Sequence, residues 1–128
     1  MKVIVKAVEG LLPEPDISYL KTDFQNYKEG IYTPNSFGRD GDFSHPLLAK
    51  QEELWHLHLA ESEPPIWLRW KNQYQRTSDY WLVYCPGFYN PRCYLLIAIL
   101  KPDAHNQAQN IELLNGLAMI AEDFRLHF

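Results

Sequence analysis

RTSDYWLVYCPGFYNPRCYLLIAILKPDAH, residues 76–105, decides how this chain is read. Tyr80 to Cys85 is a run of strand-forming side chains, and Tyr94 to Leu100 is apolar without a break. Pro86, Gly87, Asn90 and Pro91 lie between the two runs and impose a turn. The pattern predicts a β-hairpin whose second strand is covered on both faces, because a half-exposed strand would alternate with polar residues. Arg76, Lys101 and His105 then fall at strand ends, where a packed scaffold holds charged groups still.

Outward from the hairpin, the spacing predicts a strand at Lys2 to Ala7 and another at Leu54 to Ala60. In the latter, Trp55, Leu57 and Leu59 point one way and His56 and His58 the other. Asp16 is suited to cap a helix running to Glu29, with Ile17, Leu20, Phe24 and Tyr27 on its apolar face and Gly30 just past its end. Pro46 to Glu53 reads as a short helix. Residues 31–45, rich in Pro, Asn, Ser, Gly and Asp, read as a long irregular loop; residues 66–79 are ambiguous, with an arm of a long hairpin as one reading. Leu113, Leu114, Leu117, Ile120, Ala121, Phe124 and Phe128 give a final helix its apolar stripe, with Met119 off it. The expected fold is α+β: one small, twisted, mainly antiparallel sheet of about four strands, with N-terminal helices and a C-terminal helix, in a single domain over residues 1–128.

Composition narrows the function. A chain that is 46% hydrophobic builds a core without staples, so Cys85 and Cys93 are expected as reduced, buried thiols. No apolar stretch approaches the roughly 20 residues that span a bilayer, and the first residues do not read as a signal peptide, so a cytoplasmic protein without a membrane partner is expected. The formal net charge of −4 argues against nucleic-acid binding through bulk positive charge. The charge is uneven, however. Residues 1–65 carry six Lys/Arg against eleven Asp/Glu, whereas residues 66–105 carry five against two. Arg69, Lys71 and Arg76 sit there among Trp67, Trp70, Tyr74, Tyr80 and Tyr84, a mixture that suits single-stranded RNA as well as the rim of an ordinary core.

Several groups are candidates for chemistry. His56 and His58 titrate near neutrality and could exchange protons with an RNA 2′-hydroxyl and a leaving 5′-oxygen; they could instead contribute two zinc ligands or merely line a solvated or helix-covered face. The guanidinium of Arg76 could stabilise a phosphorane, or pair with Asp79 in a charged turn. Pro102 fixes the exit from the hairpin and with it Lys101 and His105. Arg125 and His127 lie where cations favour a helix C-terminus on dipole grounds alone. Phosphate-binding glycine loops, HExxH, GxSxG and a complete EF-hand loop are missing from the sequence.

DFQNYKEG (23–30), SFGRD (36–40), HLHLA (56–60), RTSD (76–79), LVYC (82–85), LLIAILKP (95–102), His105 and AEDFR (121–125) occur in order, and together they resemble the YafO family of type II toxin–antitoxin toxins. The resemblance covers nearly everything after residue 20. It implies an mRNA interferase, an endoribonuclease that cuts translated message on the ribosome, neutralised by a cognate antitoxin, and it implies a RelE/ParE-like architecture. Such toxins cleave RNA by metal-independent 2′-hydroxyl attack, without a cofactor. The positions it connects to catalysis are Arg76, Lys101, His105 and Arg125, with His56 and His58 behind them. Tyr84 is then expected to stack on a base, and Lys71 and Arg69 to touch RNA. A non-enzymatic toxin that poisons another target, such as gyrase, would use the same scaffold. The overall acidity departs from what a ribosome-bound nuclease usually carries. The antitoxin is expected on the exposed sheet and the 31–45 loop.

Overall fold

The computed structural model describes residues 2–128. The hairpin forms as expected: β4 (Trp81–Pro86) and β5 (Cys93–Leu100) pair antiparallel, with Trp81 opposite Leu100 and Cys85 opposite Leu95. Both faces of the hairpin are covered. Trp81, Val83 and Cys85 pack to one side, while Leu82 and Tyr84 pack to the other. Cys85 and Cys93 are free and buried, and burial pushes the Cys85 thiol up to about 12.

The sheet has five strands rather than about four, in the order β1-β5-β4-β3-β2. β1 (Ile4–Ala7) runs parallel to β5, and β3 (Trp55–Leu59) antiparallel to β4. The additional strand, β2 (Phe37–Asp42), lies within the stretch expected to be a loop. Its sequence, FGRDGD, carries two glycines and two aspartates, residues disfavoured in strands, so local preference points away from it. Tertiary partners make it instead. Asp42 pairs with Trp55 and Phe37 with Leu59 across an irregular register. The outer edge is closed by the 66–79 segment: the Arg39 amide donates to the Arg76 carbonyl at 2.7 Å, and Gln73 Nε2 donates to the Gly38 carbonyl at 2.7 Å. Gly38 is required here because a Cβ would strike the Arg76 carbonyl and come within 2.9 Å of the Trp67 ring.

That segment is accordingly not a hairpin arm. It is an irregular strap with one 3₁₀ turn at Gln73–Gln75, anchored by buried Trp67, whose indole N–H donates to the Asn35 carbonyl at 2.8 Å.

α1 (Asp16–Glu29) packs Phe24 against one face of the sheet, and α4 (Ile111–His127) packs Leu114, Ala118, Ala121 and Phe124 against the other, with α2 (Leu47–Gln51) beside it. Asp16 begins α1 instead of capping it; Pro15 precedes the helix with no side-chain cap, and Asp16 serves the positive end of the helix dipole. Gly30 ends α1 at φ 77°, as its position predicts. The stripe on α4 is rotated from the expected one. Ile120 is exposed and Phe128 lies near the surface, while Ala118 and Arg125 are buried. Among the described residues no helix is long and apolar enough to cross a membrane.

Candidate active site: a histidine groove on the α4 side of the sheet

Alternation in β3 sends Leu57 into the α1-side core and His56 and His58 to the opposite face. Their ring centroids lie 5.8 Å apart. Trp81, opposite His58 in the β3–β4 ladder, forms the floor, with its ring 4.6 Å from His56 and 5.1 Å from His58. His105 meets the Trp81 edge at 6.2 Å from α3 (Ala104–Gln107). That helix is held beside the preceding turn, because the Ala104 amide donates to the Asp79 carbonyl at 3.0 Å. The result is a groove of about 450 Å³ lined by Arg39, His56, His58, Ser78, Trp81 and His105.

Ser78 sets the floor and one imidazole together. Its carbonyl accepts the Trp81 indole N–H at 2.8 Å, and its amide donates to His58 Nδ1 at 2.8 Å. An amide can donate only to an unprotonated Nδ1, so the His58 proton resides on Nε2. Burial, with the positive charge of His56 and Arg39 nearby, pushes His58 down to about 4. Burial also lowers His56, against the opposing pull of Asp40 and Asp42. Both rings are therefore neutral at pH 7. His56 Nδ1 is buried without a hydrogen-bond partner, an expensive state for a polar atom. His105 is exposed at the mouth.

Arg39 joins this groove although periodicity gave no reason to select it. Its Nε donates to the Tyr74 carbonyl at 2.7 Å and its guanidinium stacks 3.9 Å from the Tyr74 ring, which aims the planar fork along the rim.

The other expected residues divide differently. Arg76 braces the strap through Nε to the Trp70 carbonyl at 2.7 Å and through its own carbonyl to Arg39; it does not line the groove. Lys101 is exposed, with its ammonium 5.8 Å from the Tyr80 ring, and is also outside the groove lining. Arg125 is buried, donating to Glu52 at 3.2 Å, Glu53 at 3.0 Å and the Pro86 carbonyl at 2.9 Å. Pro86 ends β4 at the opposite end from Trp81, roughly 15 Å along the strand. Arg69 lies over the Trp70 ring at 4.6 Å and Lys71 is exposed, both on the strap.

Tyr84 is not available to stack on a base. It is buried, and its hydroxyl donates to Asp40 at 2.7 Å and accepts from Lys28 Nζ at 2.9 Å. Asp40 also accepts from the Tyr27 hydroxyl at 2.7 Å, and the Lys28 ammonium lies within 4.8 to 5.3 Å of the Tyr84, Tyr27 and Tyr94 rings. Burial first, and then the Asp40 charge, raise Tyr27 and Tyr84 above the ordinary phenol range, so both stay protonated as donors. This second polar centre ties α1 to β2 and β4 from the opposite face of the sheet. Among the described residues no group of three or more His, Cys, Asp or Glu is placed to hold a metal ion.

Comparison with known proteins agrees with the residues that carry the resemblance. No solved structure matches the chain. A curated protein of Escherichia coli (strain K12), the mRNA interferase toxin YafO, is 36% identical to it over 96% of each chain. Residues 25–126 match the family described as toxin YafO, type II toxin-antitoxin system. The match takes in β2 through β5 and nearly all of α4, and with them the whole histidine groove, so the chain belongs to the YafO toxin family of type II toxin–antitoxin systems.

Proposed function

We propose that this chain is an mRNA interferase, a ribosome-dependent endoribonuclease whose catalytic centre is the histidine groove. The similarity to a protein named as an mRNA interferase supports the activity. The observation that carries the site is the convergence of His56, His58 and His105 on the Trp81 floor, with Arg39 at the rim. Family membership implies a cognate antitoxin, and the activity implies mRNA and the ribosome as partners in the cytoplasm. The arrangement of one mainly antiparallel sheet, with helices ahead of its central hairpin and a C-terminal helix, supports a RelE/ParE-like toxin acting as a single domain.

In this reading the ribosome presents a codon and the toxin bends it for in-line attack by the 2′-hydroxyl on the adjacent phosphorus. His56 enters unprotonated and takes the hydroxyl proton. His58, with its proton fixed on Nε2, donates a hydrogen bond to a non-bridging phosphate oxygen. Arg39 neutralises the charge that grows on the phosphorane. His105, at the mouth, gives a proton to the departing 5′-oxygen. The P–O bond to the 2′-oxygen forms as the bond to the 5′-oxygen breaks, leaving a 2′,3′-cyclic phosphate and a free 5′-hydroxyl. Arg76 acts through the strap by positioning Arg39, and Arg125 by holding α4 to α2.

The test is 5′-end mapping of cellular mRNA after induction of the parent protein, Arg39→Ala and His105→Ala. Codon-phased cuts that fall by two orders of magnitude or more in both variants support the site. Undiminished cutting in folded Arg39→Ala and His105→Ala removes it. Intact message with DNA damage in the parent would place the chain with non-enzymatic toxins.

A further inference from the structure

A second, smaller cavity of about 180 Å³ opens off the groove and shares His56, Trp81 and His105 with it. It is bounded by the end of β2 and the β2–α2 connection, through Asp42, Phe43, Ser44 and His45, and by the turn before α4, through Gln109. Its walls are flat. The Phe43 ring lies 4.5 Å from His56 and 6.3 Å from Trp81. Phe43 and Trp81 are both buried, so these rings are fixed rather than adaptable. The rim carries a hydroxyl, an imidazole and a primary amide on exposed residues, with Ser44 Oγ 3.3 Å from His45 Nδ1. A volume of about 180 Å³ is on the scale of a single base. Polar atoms at the rim and aromatic surface within are the two features by which proteins hold an unstacked base.

We infer that this cavity is a nucleobase subsite of the same active centre, and that it takes a purine, adenine above all, from the nucleotide flanking the scissile phosphate. The inference rests on the groove being the catalytic centre. Adjacency supports it, because a base in the small cavity leaves its phosphodiester in the larger groove, beside the imidazoles and Arg39. The Gln109 amide offers a donor and an acceptor side by side, the complement of adenine N6 and N7. His56 stands in the shared wall with its Nδ1 unpartnered inside the protein. Another cavity, about 240 Å³ beneath Phe88 and Tyr89, is larger but shares no lining residue with the groove, so a base held there would not leave its phosphodiester beside the imidazoles.

The experiment compares the base composition around cut sites on ribosome-bound message for the parent, Gln109→Ala and Ser44→Tyr. Gln109 and Ser44 are exposed, so neither substitution disturbs the core. The expected result is an adenine preference at one fixed offset in the parent. It should fall roughly tenfold in Gln109→Ala, the discrimination a bidentate contact supplies. Ser44→Tyr, which fills the cavity, should depress cutting at adenine-flanked sites more than elsewhere. A parent without any base preference, or variants that reproduce the parent distribution, overturns the subsite. His105→Ala in the same assay separates the two ideas: if it still cuts, the catalytic reading has failed, whatever Gln109→Ala does to the spectrum.

Discussion

The two faces of the sheet each hold a polar cluster among aromatic rings, and the clusters are opposites. On the α1 side, Asp40 accepts from two phenols and faces one ammonium, and Gln73 Nε2 donates to both the Tyr27 hydroxyl and the Gly38 carbonyl. Donors and acceptors are matched there, which is how a buried network makes one arrangement of α1, β2 and β4 more favourable than its alternatives. On the α4 side, His56 Nδ1 has no partner, His58 is held in one tautomer, and His105 is open to solvent. A fixed tautomer and an open imidazole within a rigid frame are poised for a ligand. Saturation marks structure, and its lack marks chemistry. Arg39 and Asp40, neighbours in β2, fall on either side of this divide.

Breaking the contrast on the saturated side should have the largest effect. Asp40→Ala strands the buried Tyr84 hydroxyl, the half-buried Tyr27 hydroxyl and the Lys28 ammonium, and is expected to destabilise the fold by about 2–4 kcal/mol. Chemical denaturation measures this; a loss below about 1 kcal/mol would mean that the network is not what locks α1 to the sheet. On the open side the reverse holds. His105→Ala should lower cleavage about 100-fold or more while the melting temperature stays within a few degrees of the parent, since His105 is exposed. Equal losses of stability and activity would erase the distinction between the faces.

An acid titration sharpens the comparison. An unfolded histidine titrates near 6.5, whereas His58 in the folded chain is pushed down to about 4. Between those values the unfolded state binds more protons, so acid favours unfolding. The stability due to neutral His58 is complete above about pH 6.5 and is lost as the pH falls towards 4. With some discount for the adjoining groove, the effect is of the order of 1–3 kcal/mol. Urea melts of the parent and His58→Asn should converge as the pH drops; parallel curves would refute the assignment. The smallest effect is expected outside both clusters. Lys101→Ala and Lys71→Ala, at exposed positions off the groove, should change cleavage by less than about threefold in the same mapping assay.

The residues that the sequence made visible share a property. The hairpin, α1, the stop at Gly30 and the alternation of β3 are periodic or punctuated within a few positions, so chain geometry alone dictates which way each side chain points. His56 and His58 were legible as a pair on one face for this reason. Arg39 as part of the site was not, because β2 has poor strand preference and exists only where β3 and the strap hold it; Trp81 was not, because its place beside the histidines depends on the β3–β4 register. Arg125 illustrates the converse: a charge on a helix looks available in a sequence, yet Glu52, Glu53 and the Pro86 carbonyl have already engaged it.

The family and the helix-and-strand frame followed from the order of residues, since both are written in local patterns and short motifs. Which charged groups meet was decided only by the tertiary structure. Arg39 reached the histidines, while Arg76 and Arg125 were drawn into bracing contacts and Tyr84 into the Asp40 network. The reason is physical: a side chain's direction is set by its immediate backbone, but its partners come from segments tens of residues away, brought into register by packing of the whole core.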